Sequence, residues 1–507
     1  MRHWAPPAPV SFSSRERNSA GALWGASTDT PLRRHDVRLL SVLLIFALAL
    51  RAAAIPGAGF AHQDELFQYF EAAHRLVFGP GIVPWEYRYG MRNWSLPLLL
   101  AGPMRIGEAI APGTDLYLLL PRFILAGLSL AIVAGAWRIG RRISPLHGLL
   151  AGTVAAFWPE FVHFAPHALA EPVAVALILP AAALITSGRR HYLVTAGLLL
   201  GLAGIVRFQY LPAIGALVLV ACVRRRETWL PLLGGAALAA LAGVTIDAAM
   251  GATPFGWLAV NIRENFLHAR AAQYGVAGPL AYVSALEAAW GVWALPIVAL
   301  AIIGARSRPD LLVAAVVNLG FHSAIAHKEY RFIFLTSVLV ITLAAVGTAD
   351  ILAWGRRRLN MQFAPFAILV WGIAATTLAA TGRPAVFDIP AAPARASFAD
   401  LRRDAALCGI ATSGISFADA GGYTLLHRNV PMFAFDTSEG AALAREALAF
   451  NRIVAPQGSI VPQDFARRSC QAGGAGYAPT CIFARPGPCA AGTERHQINA
   501  VLKRIDQ

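Results

Sequence analysis

Long apolar runs alternate with short polar segments from about residue 37 to residue 380, and this alternation dominates the sequence. A membrane-spanning helix needs roughly 20 apolar residues, and fewer where neighbouring helices bury it. The runs predict about eleven helices, at residues 37–55, 115–137, 147–163, 168–186, 192–206, 208–223, 229–249, 285–304, 311–326, 333–353 and 362–380. We therefore expect an α-helical polytopic membrane protein.

Composition supports the same class and argues against a nucleic-acid-binding protein. Hydrophobic residues make up 57% of the 507 residues and charged residues only 14%, which is more apolar surface than one water-soluble core can bury. The formal net charge is +15, but the basic residues occur in short clusters between apolar runs. Nucleic-acid-binding proteins gather such residues on one exposed face, so we expect no nucleic acid among the partners.

Arginine position sets the orientation of the helices, because cytoplasmic loops retain Lys and Arg while short translocated loops lack them. The segment 192–223 fits either one long helix or two short helices that meet at Arg207. Two helices are the better interpretation, because they place every arginine cluster on the side of the basic N-terminus. The segments then expected on the extracytoplasmic face of the inner (plasma) membrane are 56–114, 159–167, 250–284, 327–332 and everything after residue 383.

This orientation divides the chain into three predicted regions. Residues 1–36 are a disordered cytoplasmic tail, residues 37–382 form the transmembrane domain, and residues 383–507 form a small extracytoplasmic α/β domain. The last region holds four of the five cysteines, an even number that favours two disulfides in an oxidising compartment; their pairing stays open. No CxxC pair indicates zinc, and we expect no metal site.

Two adjacent carboxylates, Asp64 and Glu65, follow the first apolar run. From Asp64 the polar residues Gln68, Glu71 and Arg75 recur at helical spacing, and apolar residues fill the opposite face. The pattern predicts a helix that lies along the membrane surface, with Asp64 in its first turn. An Asp in this place is equally typical of a helix N-cap, so a structural role stays open.

The segment HKEYRF (327–332) joins two long apolar runs and carries His327, Lys328, Glu329 and Arg331. Charged side chains at membrane depth are costly and mark substrate pathways. Cations in a short translocated loop also break the rule that keeps them in the cytoplasm. We interpret the segment as a site for an anion, with an internal Glu329–Arg331 salt bridge as the structural alternative.

Arg207 and Gln209 lie between two predicted short helices and add a second candidate anion contact, although a bond to a helix carbonyl is an equally good interpretation. Carboxylates and cations on one face suit the transfer of a sugar from a lipid phosphate. A carboxylate accepts the proton of the attacking hydroxyl, and fixed cations stabilise the charge that grows on the phosphate. A phosphate leaves without a proton, so one base is enough.

Four segments carry a resemblance to a known family. They are HQDELFQ (62–68), where the family has His-Pro-Asp-Glu; WEYRYGMRNW (85–94); NIRENFLHARAAQYG (261–275), like its loop that ends in Tyr-Gly; and HKEYRF (327–332), nearly identical to His-Lys-Glu-x-Arg-Phe. Their identity and order resemble the dolichyl-phosphate-mannose-dependent mannosyltransferases of glycosyltransferase family 22, together with its bacterial relatives. The resemblance covers residues 38–380 and leaves the cysteine-rich region outside.

The resemblance implies a GT-C fold and inverting transfer of a hexose, mannose in this family, from a polyprenyl-phosphate donor to a lipid-linked or envelope glycan or glycolipid acceptor. It implies no cofactor or metal. It makes Asp64 the catalytic base, with Glu65 in support. Donor-phosphate contacts are expected at His327, Lys328 and Arg331, to which the residue argument adds Arg207. Further substrate contacts are expected at His62, Glu86, Arg88, Arg92, Gln209, Tyr274 and Glu329.

Two positions depart from the family pattern. Gln63 replaces the usual proline, which changes how the helix starts, and Asn93 replaces the usual serine, which affects the expected acceptor contacts. A transporter or flippase of lipid-linked sugar is the alternative function. It would require polar residues throughout the spans and an internal repeat, and the sequence has neither. A scaffold protein would leave HKEYRF without a purpose.

Overall fold

The computed structural model describes residues 33–57, 59–359, 363–382, 387, 392–474 and 476–505. Within them, five apolar helices are long enough to cross a membrane and six are shorter, eleven in all. In chain order, α1 to α11 are Arg34–Ala54, Leu116–Arg141, Pro145–Phe157, Ala170–Leu184, Arg190–Val206, Phe208–Cys222, Arg226–Ala249, Ala281–Gly304, Pro309–Ala324, Tyr330–Arg357 and Ala364–Ala380. Each coincides with one predicted run, which confirms a multi-pass helical membrane protein. The predicted N-terminal tail lies outside the described residues, apart from 33–36.

The break between α5 and α6 falls at Arg207, as the arginine clusters predict. Arg207 leaves the helical backbone region, with φ −143° and ψ 84°, and a short 3₁₀ turn follows it. Arg207 therefore lies at the break between α5 and α6.

Helix α10 is the centre of the bundle, with 83% of its apolar window buried. Its closest neighbour is α8, and each helix supplies a glycine to the contact. A Cβ on Gly304 would lie 2.1 Å from the carbonyl oxygen of Leu343, and one on Gly347 would lie 2.0 Å from that of Leu300. Small residues of this kind let two membrane helices approach to backbone contact.

The helix ends and loops form two groups with separate contacts. In one group, Arg141 pairs with Asp36 (Nη2–Oδ2, 2.8 Å). In the other, His167 contacts Glu65 (Nδ1–Oε2, 2.9 Å). We call the first group the arginine end; it comprises residues 33–36, 138–147, 182–190, 222–228, 305–310 and 350–357. We call the second the loop end; it comprises residues 60–115, 158–171, 207–210, 250–280 and 325–331.

The loop end is built from short helices in the connections between the spans. The first of them, which we call the loop helix, consists of the π-helical turn Glu65–Phe70 and the α-helix Glu71–Phe78. The others are Trp85–Arg88, Ser95–Ile110, Pro159–Phe164, Gly256–Ile262, Arg263–Leu267 and Arg270–Tyr274. Ser95–Ile110 is a 16-residue helix that the sequence reasoning did not predict.

The loop helix does not expose the polar side chains that recur along it, and its predicted position along the membrane surface stays a prediction. Glu65, Gln68, Glu71 and His74 are all buried, as are the apolar residues of the π-helical turn. The reason is that the C-terminal region packs on the face of the helix that the bundle leaves open. The polar stripe therefore forms contacts inside the protein instead of facing water.

The C-terminal region folds around a mixed five-stranded sheet, as the predicted α/β pattern requires. Its strands are β1 (Ile410–Ser413), β2 (Met432–Phe435), β3 (Arg452–Pro456), β4 (Ala466–Gln471) and β5 (Thr480–Ala484). The strand order is β2-β1-β3-β5-β4, with β1 parallel to β2 and β3, and with β5 antiparallel to β3 and β4. Short helices such as Pro393–Leu401 and Ile498–Ile505 pack beside the sheet.

Two disulfides cross-link this region, which confirms the number of disulfides inferred from the even cysteine count. Cys470 and Cys481 face each other across β4 and β5. Cys408, just before β1, pairs with Cys489, beyond β5. Both bridges close loops that the sheet already brings together.

One carboxylate joins the C-terminal region to the loop helix. Glu71 is fully buried and accepts hydrogen bonds from the backbone N–H groups of Ile82 (2.7 Å), Tyr423 (2.9 Å) and Thr424 (2.8 Å). The Thr424 hydroxyl donates a further bond of 2.5 Å. Gly422, at φ +58°, lets its backbone approach the Glu71 carboxylate, because a Cβ at this position would lie 2.7 Å from it. The region is thus fixed to the helix that follows Asp64.

Candidate active site

Asp64 meets Arg331 at the loop end, although the two residues are 267 positions apart. An Arg331 Nη2–H group donates to Asp64 Oδ2 at 2.5 Å. The backbone nitrogen of Asp64 lies 3.0 Å from His62 Nδ1, at the start of the loop helix. A side-chain cap by Asp64 itself is not formed. The carboxylate therefore points into the site rather than closing the helix.

Glu329 connects one arginine and two histidines in the same cluster. Its carboxylate accepts from Arg331 Nε at 2.5 Å and contacts His327 Nε2 at 2.8 Å and His62 Nε2 at 3.1 Å. The Glu329–Arg331 salt bridge that was the structural alternative is thus present. It does not stand alone, because the same guanidinium also binds Asp64.

Glu171 completes the cluster and was missed by the sequence reasoning. It is fully buried in the first turn of α4. Its Oε1 lies 3.0 Å from Arg207 Nη2 and 3.8 Å from Arg331 Nη1, so one carboxylate links the two arginines. Arg207 also stacks on the ring of Phe332, with its Cζ 4.8 Å from the ring centroid. A single acid at the start of an apolar run was the available signal, because such a residue is rare at membrane depth.

The cluster fixes the protonation of its loop residues. Burial raises the pKa of Asp64, but Arg331 and His62 outweigh it and hold that pKa well below its usual range. Burial likewise opposes ionisation of Glu329, and Arg331, His327 and His62 lower its pKa well below the ordinary value. Burial and Arg331 lower the pKa of His62, yet Asp64 and Glu329 raise it to about 9. Asp64 and Glu329 are therefore anionic at neutral pH, and His62 is cationic.

Glu65 occupies a different environment from its neighbour Asp64. It is fully buried, and its carboxylate accepts from the backbone N–H groups of Ala61 (2.9 Å) and Ala168 (3.1 Å) and contacts His167 Nδ1 at 2.9 Å. These contacts join the start of the loop helix to the connection between α3 and α4. Glu65 thus supports the position of Asp64 through the backbone, and any direct role in chemistry stays a prediction.

Lys328 is held by helix carbonyls instead of by the carboxylate cluster. Its ammonium donates to the carbonyl oxygens of Ser323 (3.0 Å) and Ile325, at the end of α9. It also lies 5.6 Å from the ring centroid of Tyr282. Lysine near a helix C-terminus commonly satisfies the last carbonyls in this way. These two contacts leave the third N–H of the ammonium for the predicted phosphate contact.

Two predicted substrate contacts, Glu86 and Arg92, are buried or half-buried near the loop helix. Glu86 accepts a hydrogen bond of 2.7 Å from Gln68 Nε2, and burial raises its pKa although Arg92 opposes that change. Arg92 lies within electrostatic range of Glu86 and Asp64, and its buried Nε has no hydrogen-bond partner in the part of the chain that the structure describes. The Nε of Arg207 is also buried and has no hydrogen-bond partner among the described residues. Two guanidinium groups thus retain hydrogen-bonding capacity at the loop end.

The remaining predicted contacts lie at the edge of the cluster or outside it. Tyr274 is 61% exposed, with its ring 6.3 Å from that of His327. Gln209 is half-buried in the turn after Arg207. Arg88 donates to the carbonyl oxygens of Val83 and Leu502, so it binds the C-terminal helix.

Asn93, at one of the two departures, also makes a structural contact. Its amide donates to the carbonyl oxygen of Ile205, at the end of α5, at 2.9 Å. It therefore fixes the segment after the loop helix near Arg207.

Across the described residues, no group of three or more His, Cys, Asp or Glu side chains is arranged to hold a metal ion.

Chemically, the cluster combines one ionised carboxylate at a helix start with two arginines that share acidic partners. Asp64 can accept a proton, and Arg331 and Arg207 can bind an anion. Glu171 and Glu329 neutralise part of the positive charge, and this pairing offsets the desolvation cost of the arginines in a low-dielectric site. The geometry therefore brings together Asp64, Arg331, Arg207, His62, His327 and Glu329 from the predicted set.

Comparisons with known proteins identify the family of the chain. A sequence model of the Alg9-like mannosyltransferase family matches residues 42–391. GPI mannosyltransferase 3 of Drosophila melanogaster is 33% identical over 94 residues, which cover 18% of this chain and 17% of the relative. GPI alpha-1,2-mannosyltransferase 3 of Danio rerio is 36% identical over 95 residues, 18% of this chain and 15% of the relative. The chain thus matches less than a fifth of the length of these curated relatives.

A solved structure resembles nearly the whole chain. It is ArnT from Cupriavidus metallidurans bound to undecaprenyl phosphate, with a TM-score of 0.58 and 11% identity over 89% of this chain and 99% of that chain. This likeness confirms the expected GT-C fold with its small C-terminal sheet region. Because the family match extends over more than half of the sequence, the chain belongs to the Alg9-like mannosyltransferase family.

Proposed function

We propose that the chain is an integral membrane glycosyltransferase that transfers a hexose, mannose, from a polyprenyl-phosphate donor to a lipid-linked or envelope glycan acceptor. The observation that carries the proposal is the 2.5 Å contact between Asp64 and Arg331, a base and an anion site in one cluster. Family membership supports mannose. The undecaprenyl phosphate named for ArnT supports a polyprenyl phosphate as the carrier.

In the proposed reaction, an acceptor hydroxyl oxygen attacks the anomeric carbon of the donor sugar. The new C–O bond forms as the bond from that carbon to the phosphate oxygen breaks, and the electron pair of the broken bond stays on the polyprenyl phosphate. Asp64 receives the proton of the hydroxyl. Attack from the side opposite the phosphate inverts the anomeric configuration, and Arg331 and Arg207 stabilise the phosphate charge.

Arg331 couples donor binding to the basicity of Asp64. Its guanidinium holds the Asp64 pKa low, and a carboxylate with a low pKa is a weak base. A donor phosphate that accepts a hydrogen bond from Arg331 competes with Asp64 for that group. As the phosphate takes over the guanidinium, the proton affinity of Asp64 rises. His327 and Lys328 add predicted phosphate contacts, and Arg92 retains an unpartnered Nε for the same purpose.

We place residues 37–382 as the catalytic domain and residues 383–507 as an extracytoplasmic domain. Arginines gather at one end of the bundle, which supports a cytoplasmic position for that end. The two disulfides beside the loop end support an oxidising compartment for the site. The inner (plasma) membrane, with the loop end on its extracytoplasmic face, satisfies both observations.

The test is product formation by the purified protein in detergent. Polyprenyl-phosphate mannose with a labelled sugar is mixed with the glycolipid fraction of cells that lack the protein. We expect labelled glycolipid whose anomeric configuration is opposite to that of the donor. A transporter would form no product without a sealed compartment, so absence of product contradicts the proposal. Retained configuration would refute the single-displacement mechanism.

A further inference from the structure

A polar cluster lies where the C-terminal region meets the start of the loop helix. Gln63, next to Asp64, donates from Nε2 to Asp419 Oδ1 at 3.5 Å. Asp419 ends the 3₁₀ turn Phe417–Asp419. The ring of Phe417 packs against Phe67 of the loop helix, with the centroids 5.5 Å apart. The C-terminal region therefore reaches the residue that precedes the proposed base.

Tyr477 and Arg395 complete this cluster. The Tyr477 hydroxyl donates to Asp419 Oδ1 at 3.2 Å. Arg395, in the helix Pro393–Leu401, is only 6% exposed, and its Nη2 donates to the carbonyl oxygen of Ala418 at 3.3 Å. Within the described residues, its buried Nε and Nη1 have no hydrogen-bond partner. Burial lowers the Arg395 pKa, and the nearby Asp419 and Tyr477 offset only part of that effect.

Unpartnered nitrogen atoms on a buried guanidinium need an explanation. A buried donor without a partner costs about 1–3 kcal/mol, and more when the group is charged. Buried polar groups in folded proteins are therefore nearly always bonded, to the protein or to a bound molecule. Arg395 has no carboxylate within ion-pair distance among the described residues, although Asp419 is close enough to act on its charge.

We propose that Arg395, Asp419, Gln63 and Tyr477 form the subsite that binds the acceptor sugar. The ligand class is a neutral hexose with neighbouring hydroxyls. One sugar hydroxyl can donate to Asp419 while its neighbour accepts from Arg395, so a diol satisfies both groups. A phosphate would suit Arg395 but would meet the Asp419 carboxylate with like charge. This inference rests on the proposed function, because it orients the acceptor toward Asp64.

The subsite also accounts for a departure from the family. Gln63 stands where the family pattern has proline, and proline has no side-chain amide to reach Asp419. Arg395, Asp419 and Tyr477 all follow residue 391, where the family match ends. Acceptor choice in this chain therefore comes from residues outside the part that it shares with its family, together with one changed residue inside it.

The test uses octyl α-mannoside as the probe and compares three variants of the full-length protein. Asp419→Asn removes the carboxylate charge. Arg395→Lys keeps the positive charge but loses the planar set of N–H donors of the guanidinium. Arg445→Gln is the matched control at an exposed position of the same region. We expect KM for the probe to rise at least about tenfold in the first two, the value of one hydrogen bond to a charged group. KM for polyprenyl-phosphate mannose should stay within about twofold, as in the control.

The outcomes separate this inference from the proposed function. Probe binding is also measured directly by tryptophan fluorescence, which needs no turnover, and each variant must keep both disulfides and the elution volume of the wild type. Saturable binding that weakens in Asp419→Asn supports the subsite even where transfer is absent. The subsite is overturned if the wild type glycosylates its extracted glycolipids yet does not bind the probe. Equal probe KM in Asp419→Asn and the wild type, or preference for a mannose 6-phosphate probe, also overturns it.

Discussion

The arginine end and the loop end both contain buried charged side chains, but these side chains form different kinds of ion pair at the two ends. At the arginine end, Arg141 forms a two-point contact with one carboxylate, Asp36 (2.9 and 2.8 Å). Arg308 binds Asp310, two positions away in sequence. At the loop end, Arg331 is shared between Asp64 and Glu329.

This difference separates structural charges from functional ones. A cation saturated by one carboxylate gains little by binding a substrate, since that exchange breaks a complete pair. A cation shared among several acids can release one of them to a phosphate and remain neutralised by the others. The sharing at the loop end therefore leaves room for a charged ligand, which the arginine end lacks. Variants of matched residues at the two ends test this difference for Asp64 and Arg331.

The largest effect is expected for Asp64→Asn, with Asp36→Asn as the matched change at the arginine end. Asn keeps the shape of Asp64 but cannot accept the proton, so transfer should fall about 1000-fold. Asp36→Asn should leave transfer within about twofold and lower only thermal stability. Initial rates with labelled polyprenyl-phosphate mannose measure both. Equal losses at the two ends would contradict the comparison.

Arg331→Lys should have the next largest effect, with Arg141→Lys as its control. Lysine keeps one positive charge but cannot bind two acceptors in the planar arrangement of arginine. We expect kcat/KM for the donor to fall about 100-fold in Arg331→Lys. In Arg141→Lys the rate should stay near that of the wild type. Transfer by Arg331→Lys at the wild-type rate would remove this arginine from the site.

His62 should make stability depend on pH. Its pKa is raised from 6.5 to about 9, so its proton stabilises the fold fully below pH 6.5 and is lost as the pH rises through 9. The difference corresponds to about 3 kcal/mol of unfolding free energy. Thermal unfolding between pH 6 and pH 10 should show this loss in the wild type and not in His62→Gln. Parallel curves for the two proteins would refute the assignment.

Lys328→Met should have the smallest effect of the set. The Lys328 ammonium donates to the carbonyls of Ser323 and Ile325, which leaves only one N–H for a phosphate. We expect KM for the donor to rise less than about tenfold, with kcat nearly unchanged. A loss as large as that of Arg331→Lys would show that Lys328 moves onto the phosphate during turnover.

The sequence predicts the parts of this molecule that depend on local pattern. Apolar runs of the right length predict the eleven apolar helices, and the arginine clusters correctly favour two short helices around Arg207. The segment HKEYRF and the pair Asp64–Glu65 are recognisable because charged residues stand out beside apolar runs. The even cysteine count gives the number of disulfides in the C-terminal region, but not their pairing.

Pairings between distant segments are what the sequence does not contain. The link from Glu171 to Arg207 and Arg331 depends on how α4 packs beside α10. The burial of the loop helix depends on the C-terminal region, whose Thr424 lies 353 positions from Glu71. Adjacent residues also separate: Asp64 enters the charge cluster, while Glu65 binds His167 and backbone amides. Neighbouring acids have the same sequence signal but different partners in three dimensions.

The central claim is that Asp64 performs the proton transfer while Arg331 holds the donor phosphate. The direct test is equilibrium binding of polyprenyl-phosphate mannose to purified Asp64→Asn and Arg331→Lys, measured beside their single-turnover transfer rates. We predict that Asp64→Asn binds the donor at least as tightly as the wild type but does not transfer its sugar, whereas Arg331→Lys binds it weakly. Transfer by Asp64→Asn at the wild-type rate would contradict the account.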